Sequence, residues 1–146
     1  MSNPSTHKRV LILCTGNSCR SQMAEAVWRA ASKGAWRADS AGSNPSGYVH
    51  PRAVEVMAEI GLDISGNESK SIDRFLGDSI DLVITVCDSA RESCPVFPGA
   101  KQTLHWPFED PAGFVGDAEA TRTKFREIRD LIRERIEGYL GATAAP

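Results

Sequence analysis

The sequence predicts an α/β fold, a single domain with a four-stranded parallel sheet flanked by helices. Three observations lead there. Short apolar runs alternate with segments of helical periodicity, in the order βαβαβ(α)βα. The first run passes directly into a small polar loop and then a helix, the opening of a strand-crossover-strand unit. The 146 residues suit one domain, and neither a repeat nor an interdomain linker interrupts them.

Each element has its own cause. Residues 1–8 are polar and are expected to form a flexible tail. Arg9-Val-Leu-Ile-Leu-Cys14 is an unbroken apolar run, the pattern of a strand buried on both faces. Thr15 to Ser21 is a small polar loop. Gln22 to about Lys33 reads as a helix with Met23, Val27, Ala30 and Ala31 on one face and Gly34 as its stop. Trp36 to Ala41 is a short strand, followed by turn-forming residues. His50-Pro51 opens a helix to about Ile60, carrying Val54, Met57 and Ala58, with Gly61 as its end. Ser65 to Gly77 is polar and irregular, with a short helix near Ile72 to Leu76.

Ser79 to Val86 gives the strongest strand signal. Residues 88–100 form a loop or short helix ending in Pro95, Pro98 and Gly99. Lys101 to Trp106 is the fourth strand, and Pro107 to Gly116 a loop containing Asp110-Pro111. Ala118 to Leu140 is a long helix, with Phe125, Ile128, Ile132, Ile136 and Tyr139 at helical spacing. Residues 141–146 are expected to be a second flexible tail, so the domain proper is 9–140. The crossovers would wrap helices on both faces of the sheet. Cys14, Cys87 and the loop after Trp106 would then meet at the carboxyl edge of the strands, where such sheets bind ligands.

Hydrophobic residues are 41% and charged residues 25%, with 17 basic against 19 acidic side chains and a net charge of −2. That balance excludes a broad nucleic-acid or membrane surface, so a small anion would need a local trap. No apolar run approaches the roughly 20 residues of a membrane span, and the N-terminal residues lack the apolar stretch of a signal peptide. A cytoplasmic location is expected, where cysteines are held as thiols. The four cysteines, at 14, 19, 87 and 94, then point to chemistry or metal binding. They lack the paired knuckles of structural zinc, and neither a metal nor a cofactor is expected.

Cys14-Thr-Gly-Asn-Ser-Cys-Arg20-Ser21 joins a buried strand to a helix. Loop N–H groups can turn inward there, and the helix presents the positive end of its dipole. Gly16 is expected to supply an unusual backbone angle. Arg20 offers a planar fork for two oxygens of a tetrahedral oxyanion. The same field would favour the thiolate form of Cys14, the form that attacks. Asn17 is expected to brace the loop. Cys19 could be structural or a bystander thiol, and Ser21 could donate to the Cys14 sulfur, cap the helix, or both.

Cys14 to Ser21 with Gln22-Met-Ala-Glu25, Asp39-Ser-Ala-Gly42, and Leu104-His-Trp-Pro-Phe-Glu-Asp-Pro111 resembles the phosphate loop and flanking blocks of the low-molecular-weight tyrosine phosphatases and of the thioredoxin-coupled arsenate reductases on that scaffold. The likeness spans nearly the whole chain and implies a flavodoxin-like winding. It implies an oxyanion held by Thr15, Gly16, Asn17, Ser18, Cys19, Arg20 and Ser21, with Cys14 as nucleophile and Asp110 as proton donor. Read alone, Asp110-Pro111 is better taken as a turn or helix N-cap, and it is the neighbouring loop that favours the acid. Glu109 is the less favoured acid, and His105-Trp106 is read as packing around the acid loop.

Cys87-Asp-Ser-Ala-Arg-Glu-Ser-Cys94 separates the two activities. Phosphate transfer needs no second thiol. Reduction of arsenate needs two electrons, and the resemblance implies a relay in which Cys87 attacks the Cys14 adduct and Cys94 resolves the disulfide. Cys94 would have to approach Cys87, since a disulfide needs Cα atoms within about 7 Å. The implied reaction is arsenate to arsenite by a monomer, re-reduced by thioredoxin, with glutaredoxin and glutathione the alternative. A phosphotyrosine phosphatase is the first rival, weakened by Ala112 where an aromatic residue would follow Asp110-Pro111. A redox-sensing anion module is the second. Some relatives hold a potassium ion on residues matching Asn17, Glu25 and Ser40. Where their distal Asp would align, this chain has Lys70, whose ammonium is expected either to take the cation's place or to be solvated.

Overall fold

An apolar strand at the centre of a sheet needs a partner on each side, and the first strand has both. The computed structural model describes residues 8–87 and 96–144, with side chains to residue 141. β1 (Lys8–Cys14) is central, β2 (Trp36–Gly42) lies on one side, and β3 (Ile80–Thr85) followed by β4 (Ala100–His105) on the other. All pairings are parallel, with Cys14 opposite Gly42, Leu13 opposite Thr85, and Thr85 opposite His105. The carboxyl ends of the four strands are therefore level. β1 begins one residue inside the expected tail.

α1 (Arg20–Ser32), α2 (Pro51–Ala58) and α3 (Ala118–Ala144) share one apolar cluster with the Val10, Ile12 and Cys14 face of β1. The opposite face, Leu11 and Leu13, is covered by Phe75 of the 3-10 helix Ile72–Phe75 and by Phe97. The helices expected on both faces are thus three α-helices on one and, among the described residues, a short 3-10 helix on the other. Aromatic side chains are wide enough for one short turn to cover the other.

The helices differ from expectation in detail. α1 starts at Arg20, two residues early, and buries Met23, Ala24, Val27 and Trp28 while Ala30 is exposed. Trp28, fully buried, stacks on Trp106 at 6.1 Å and meets Trp36 edge-on at 5.3 Å. α2 ends at Ala58, and its buried face is Ala53, Val56 and Met57. Residues 141–144 continue α3 instead of forming a tail. A glycine in a last helical turn costs only about 1 kcal/mol, and alanines follow it. Among the described residues, no helix is long and apolar enough to cross a membrane.

α3 is pinned across α2 by ion pairs. Arg126 and Arg129 reach Glu59 at 2.7 and 2.9 Å, and Arg122 reaches Glu55 at 3.0 Å. Hydrogen bonds from Arg126 hold the Glu59 carboxyl at about 2, below its ordinary 4.5. A depressed carboxyl contributes stability that is complete above its unfolded value and lost as pH falls through its folded one. The contribution of Glu59 should therefore fade from about pH 4.5 to about pH 2. Thermal melts across that interval should show Glu59→Gln losing less stability than the wild type, and parallel curves would refute the assignment.

Candidate active site

The loop after β1 is a cup whose carbonyls are all turned outward and held there. Ser43 N–H donates to Cys14 O (3.3 Å), Asn44 to Thr15 O (2.9 Å), Ser46 to Gly16 O (2.9 Å) and His50 to Ser18 O (2.9 Å). The Gln22 amide donates to Asn17 O at 3.1 Å, and Met23 N–H to Cys19 O at 2.9 Å. With each carbonyl from 14 to 19 occupied from outside, the loop amides are left to face inward. A ring of N–H groups closed by the start of a helix is an arrangement that can receive an anion. The segment after β2 supplies four of these donors, yet its sequence reads only as a turn.

Asn17, not Gly16, takes the left-handed backbone angle of the loop, with φ +48°. Asparagine is among the residues that visit this region at least cost. The glycine that close packing requires is Gly42, at the end of β2. A Cβ there would lie 2.4 Å from Thr15 O and 3.0 Å from Asn17 N. Gly42→Ala is expected to cost about 1–3 kcal/mol through overpacking. It should also weaken phosphate binding about tenfold, or roughly 1.4 kcal/mol. Thermal melts and protection of Cys14 from alkylation by phosphate would measure both.

Cys14 sits at the floor, 2% exposed. Asn17 N–H donates to its sulfur at 3.1 Å, and Ser21 Oγ lies 2.8 Å away. The Asn17 amide donates to Ser21 Oγ (2.8 Å) and to Ser40 Oγ (3.0 Å), so the Ser21 hydrogen is left to point at sulfur. Ser40 in turn donates to Glu25 Oε1 at 2.9 Å. The amide's orientation is set from its other side. Lys70 N–H (2.7 Å) and Gln22 Nε2 (3.0 Å) both donate to Asn17 Oδ1, and a backbone N–H can only donate. Asn17 therefore braces the loop with its side chain and presents only its backbone to the sulfur. Ser21 is the second residue of α1 and caps nothing, since the N-cap position is Cys19, which makes no side-chain cap.

Arg20 is 3% exposed and enters the cleft from the first turn of α1. One terminal nitrogen donates to Val86 O (3.3 Å) and Phe108 O (3.2 Å), and the other lies 3.6 Å from Asp110. Asp110 does two things. Its carboxylate accepts from Ala112 N–H at 3.0 Å, capping a short 3-10 turn (Pro111–Gly113), and it overhangs a cleft of about 750 Å³ with Cys14 at its base. The Cys19 thiol donates to Asp110 Oδ1 at 3.5 Å. Burial, reinforced by the charges of Asp110 and Cys14, pushes the Cys19 thiol up to about 12. It is a protonated structural donor, not a second nucleophile.

The cleft wall is formed by Thr15, Gly16, Ser18 and Cys19 on one side and by Ser43 to Ser46 on the other. Sequence reasoning misses the latter segment; Gly42 and the turn-forming run after it are its local signal. Cys87 is buried and reduced. Val86 N–H donates to Leu13 O at 2.9 Å, which carries the β1–β3 ladder to the residue before Cys87. Cys94 lies outside the described residues. His105 binds Thr85 Oγ1 at 2.7 Å and serves strand pairing at the rim.

At Lys70, the ammonium lies 3.7 Å from the buried Glu25 carboxylate and donates to Glu68 O at 3.3 Å. Arg29 reaches the other Glu25 oxygen at 3.5 Å. The Glu25 charge is thus met by two cationic side chains of the chain itself, and the group does not fit an additional potassium ion.

Residues 9–145 match the model of the family described as low molecular weight phosphotyrosine protein phosphatase. An arsenate reductase of Halalkalibacterium halodurans is 45% identical over 132 residues, covering 90% of this chain and 94% of that protein. A solved structure described as an arsenate reductase in the phosphate binding state superposes with a TM-score of 0.78 at 35% identity, over 92% of this chain and 98% of the other. A Corynebacterium glutamicum thioredoxin-dependent arsenate reductase gives a TM-score of 0.69 at 28% identity, over 93% of this chain and 60% of that one. The outward-tied loop with Cys14 at its base and Arg20 and Asp110 above is thus set in a matching fold along almost its full length, and the chain belongs to the low molecular weight phosphotyrosine protein phosphatase family, alongside the arsenate reductases within it.

Proposed function

We propose that this protein reduces arsenate to arsenite through a thiol relay. One observation carries the choice of reduction over phosphate transfer. A second buried thiol, Cys87, stands two residues past the end of β3, the strand paired with that of Cys14, and one position past the Val86–Leu13 hydrogen bond. Arsenate binds the loop amides and Arg20 as a tetrahedral anion. The Cys14 sulfur attacks arsenic, and one hydroxyl leaves as water with a proton from Asp110. Cys87 then attacks the Cys14 sulfur. The S–As bond breaks, its electron pair stays on arsenic, and arsenite leaves as a Cys14–Cys87 disulfide forms. Cys94 attacks Cys87, restoring the Cys14 thiol and leaving a Cys87–Cys94 disulfide.

Thioredoxin re-reduces that disulfide, a reading supported by the thioredoxin dependence of the Corynebacterium relative. The protein works as a monomer in the cytoplasm, where thiols are kept reduced. A single turnover tests the reaction. Reduced protein is mixed with arsenate without external reductant, thiols are blocked and peptides are mapped by mass. A Cys87–Cys94 disulfide with an equal amount of arsenite supports the relay. Both cysteines reduced and no arsenite would reject it and leave aryl phosphate hydrolysis as the activity to test.

Lys70 replaces a bound cation beside the loop, so turnover is expected to be the same in potassium and sodium salts at matched ionic strength. Activation by potassium would reject this reading of Lys70 without touching the relay.

A further inference from the structure

Asp110 is held at the cleft by modest contacts: a 3.6 Å ion pair, a 3.5 Å thiol donor and its own cap to Ala112. It sits in the segment joining β4 to α3, whose first part is fixed by Phe108. Phe108 N–H donates to Val86 O at 3.4 Å, and its carbonyl accepts from Arg20 at 3.2 Å. Beyond Phe108, one side chain of α3 reaches back to both flanks of the acid. Lys124 Nζ pairs with Glu109 Oε1 at 2.8 Å, and it lies 5.9 Å from the centre of the Phe114 ring. Its side chain is 17% exposed, so the pair is partly shielded from water. Glu127 adds a weaker contact at 3.6 Å. The next residue, Phe125, packs on the His50 ring at 4.8 Å, and His50 N–H holds Ser18 O of the anion loop. One turn of α3 therefore braces both sides of the cleft.

We propose that Lys124 is a positioning residue that latches the acid loop, keeping Asp110 over the anion site by holding Glu109 and Phe114 together. This rests on Asp110 being the proton donor of the reaction proposed above. The latch acts on the proton delivery and not on the anion cup, because the oxyanion is held by the loop amides and Arg20. Loosening it should slow the first chemical step and leave binding almost intact, since misplacing a general acid forfeits part of its rate contribution without touching ground-state contacts.

The test compares wild type with Lys124→Met, Lys124→Arg and Glu109→Gln. Glu109 is half exposed, so Glu109→Gln perturbs the pair without a threat to folding. Three measurements are made: single-turnover arsenite release at saturating arsenate, protection of Cys14 from alkylation by inorganic phosphate, and amide hydrogen exchange over residues 107–116. In Lys124→Met and Glu109→Gln, exchange over that segment is expected to quicken. Arsenite release should fall about tenfold. Phosphate protection should stay within about twofold, and Lys124→Arg should keep turnover within about twofold of wild type, because it retains the cation. Unchanged exchange, or turnover within about twofold of wild type in both loosened variants, overturns the latch. So does a loss of phosphate protection as large as the loss of turnover. If the wild type releases no arsenite, the functional reading fails, and the exchange measurement alone decides the latch.

Discussion

Cys14→Ser is expected to release no arsenite above background, a fall of at least about a thousandfold, while the fold and phosphate binding persist. The argument is one of electrons and geometry. Arsenic(V) must gain two electrons, and the relay supplies them by turning two thiols into a disulfide; an oxygen at position 14 cannot form that bond. The substitution is sterically mild, because serine is smaller than cysteine. Asn17 N–H and Ser21 Oγ, now 3.1 and 2.8 Å from sulfur, would still face a hydroxyl. The cup is held by the ties of its carbonyls to Ser43, Asn44, Ser46 and His50, none of which involves the Cys14 side chain. Arsenite assay, thermal melt and phosphate titration by calorimetry separate the outcomes. Loss of phosphate binding together with turnover would mean that Cys14 shapes the cup and would remove the ground for calling it the nucleophile.

Cys87→Ser should stop the reaction one step later. Arsenite release is expected to fall at least about a hundredfold, equivalent to roughly 2.7 kcal/mol at the barrier. Phosphate should still protect Cys14 from alkylation as in wild type, because Cys87 is not part of the cup. No disulfide should form at Cys14 or Cys94 after one addition of arsenate. The contrast with Cys14→Ser is the informative part, since Cys87→Ser leaves the nucleophile, Arg20 and Asp110 in place. Arsenite release at the wild-type rate from Cys87→Ser would exclude Cys87 as the attacking thiol.

Parts of the fold that depend on near neighbours are legible in the order of residues alone. The apolar run into Cys14, the Cys-x5-Arg-Ser spacing and the period of α3 each reflect interactions within a few residues along the chain. So does His50-Pro51 at the start of α2, where the His50 ring accepts from Arg52 N–H at 3.1 Å. Element edges differ from expectation by one or two residues, and by four at the end of α3, because end turns are decided by small energies. The rotation of the buried face of α1 toward Trp28 escapes a periodicity argument, which counts apolar residues and does not weigh their size.

What the sequence determined by itself was the inventory: four strands, a cysteine-arginine loop at a strand end, an Asp-Pro turn and further thiols, all set by local spacing. The tertiary structure decided how these are held. Four of the donors for the loop carbonyls come from a segment about 30 residues away, brought alongside by the β1–β2 register, in which Cys14 faces Gly42. That register explains why the crowded glycine is Gly42 and not Gly16. Cys19 meets Asp110 across 91 positions of sequence, and burial at that meeting keeps it a protonated donor, the structural one of its two readings. Lys70 finds Glu25 in the same way, and Lys124 finds Glu109 across the turn into α3. Ion pairs, close approaches and desolvation depend on distance in space, and only the packed chain defines those distances.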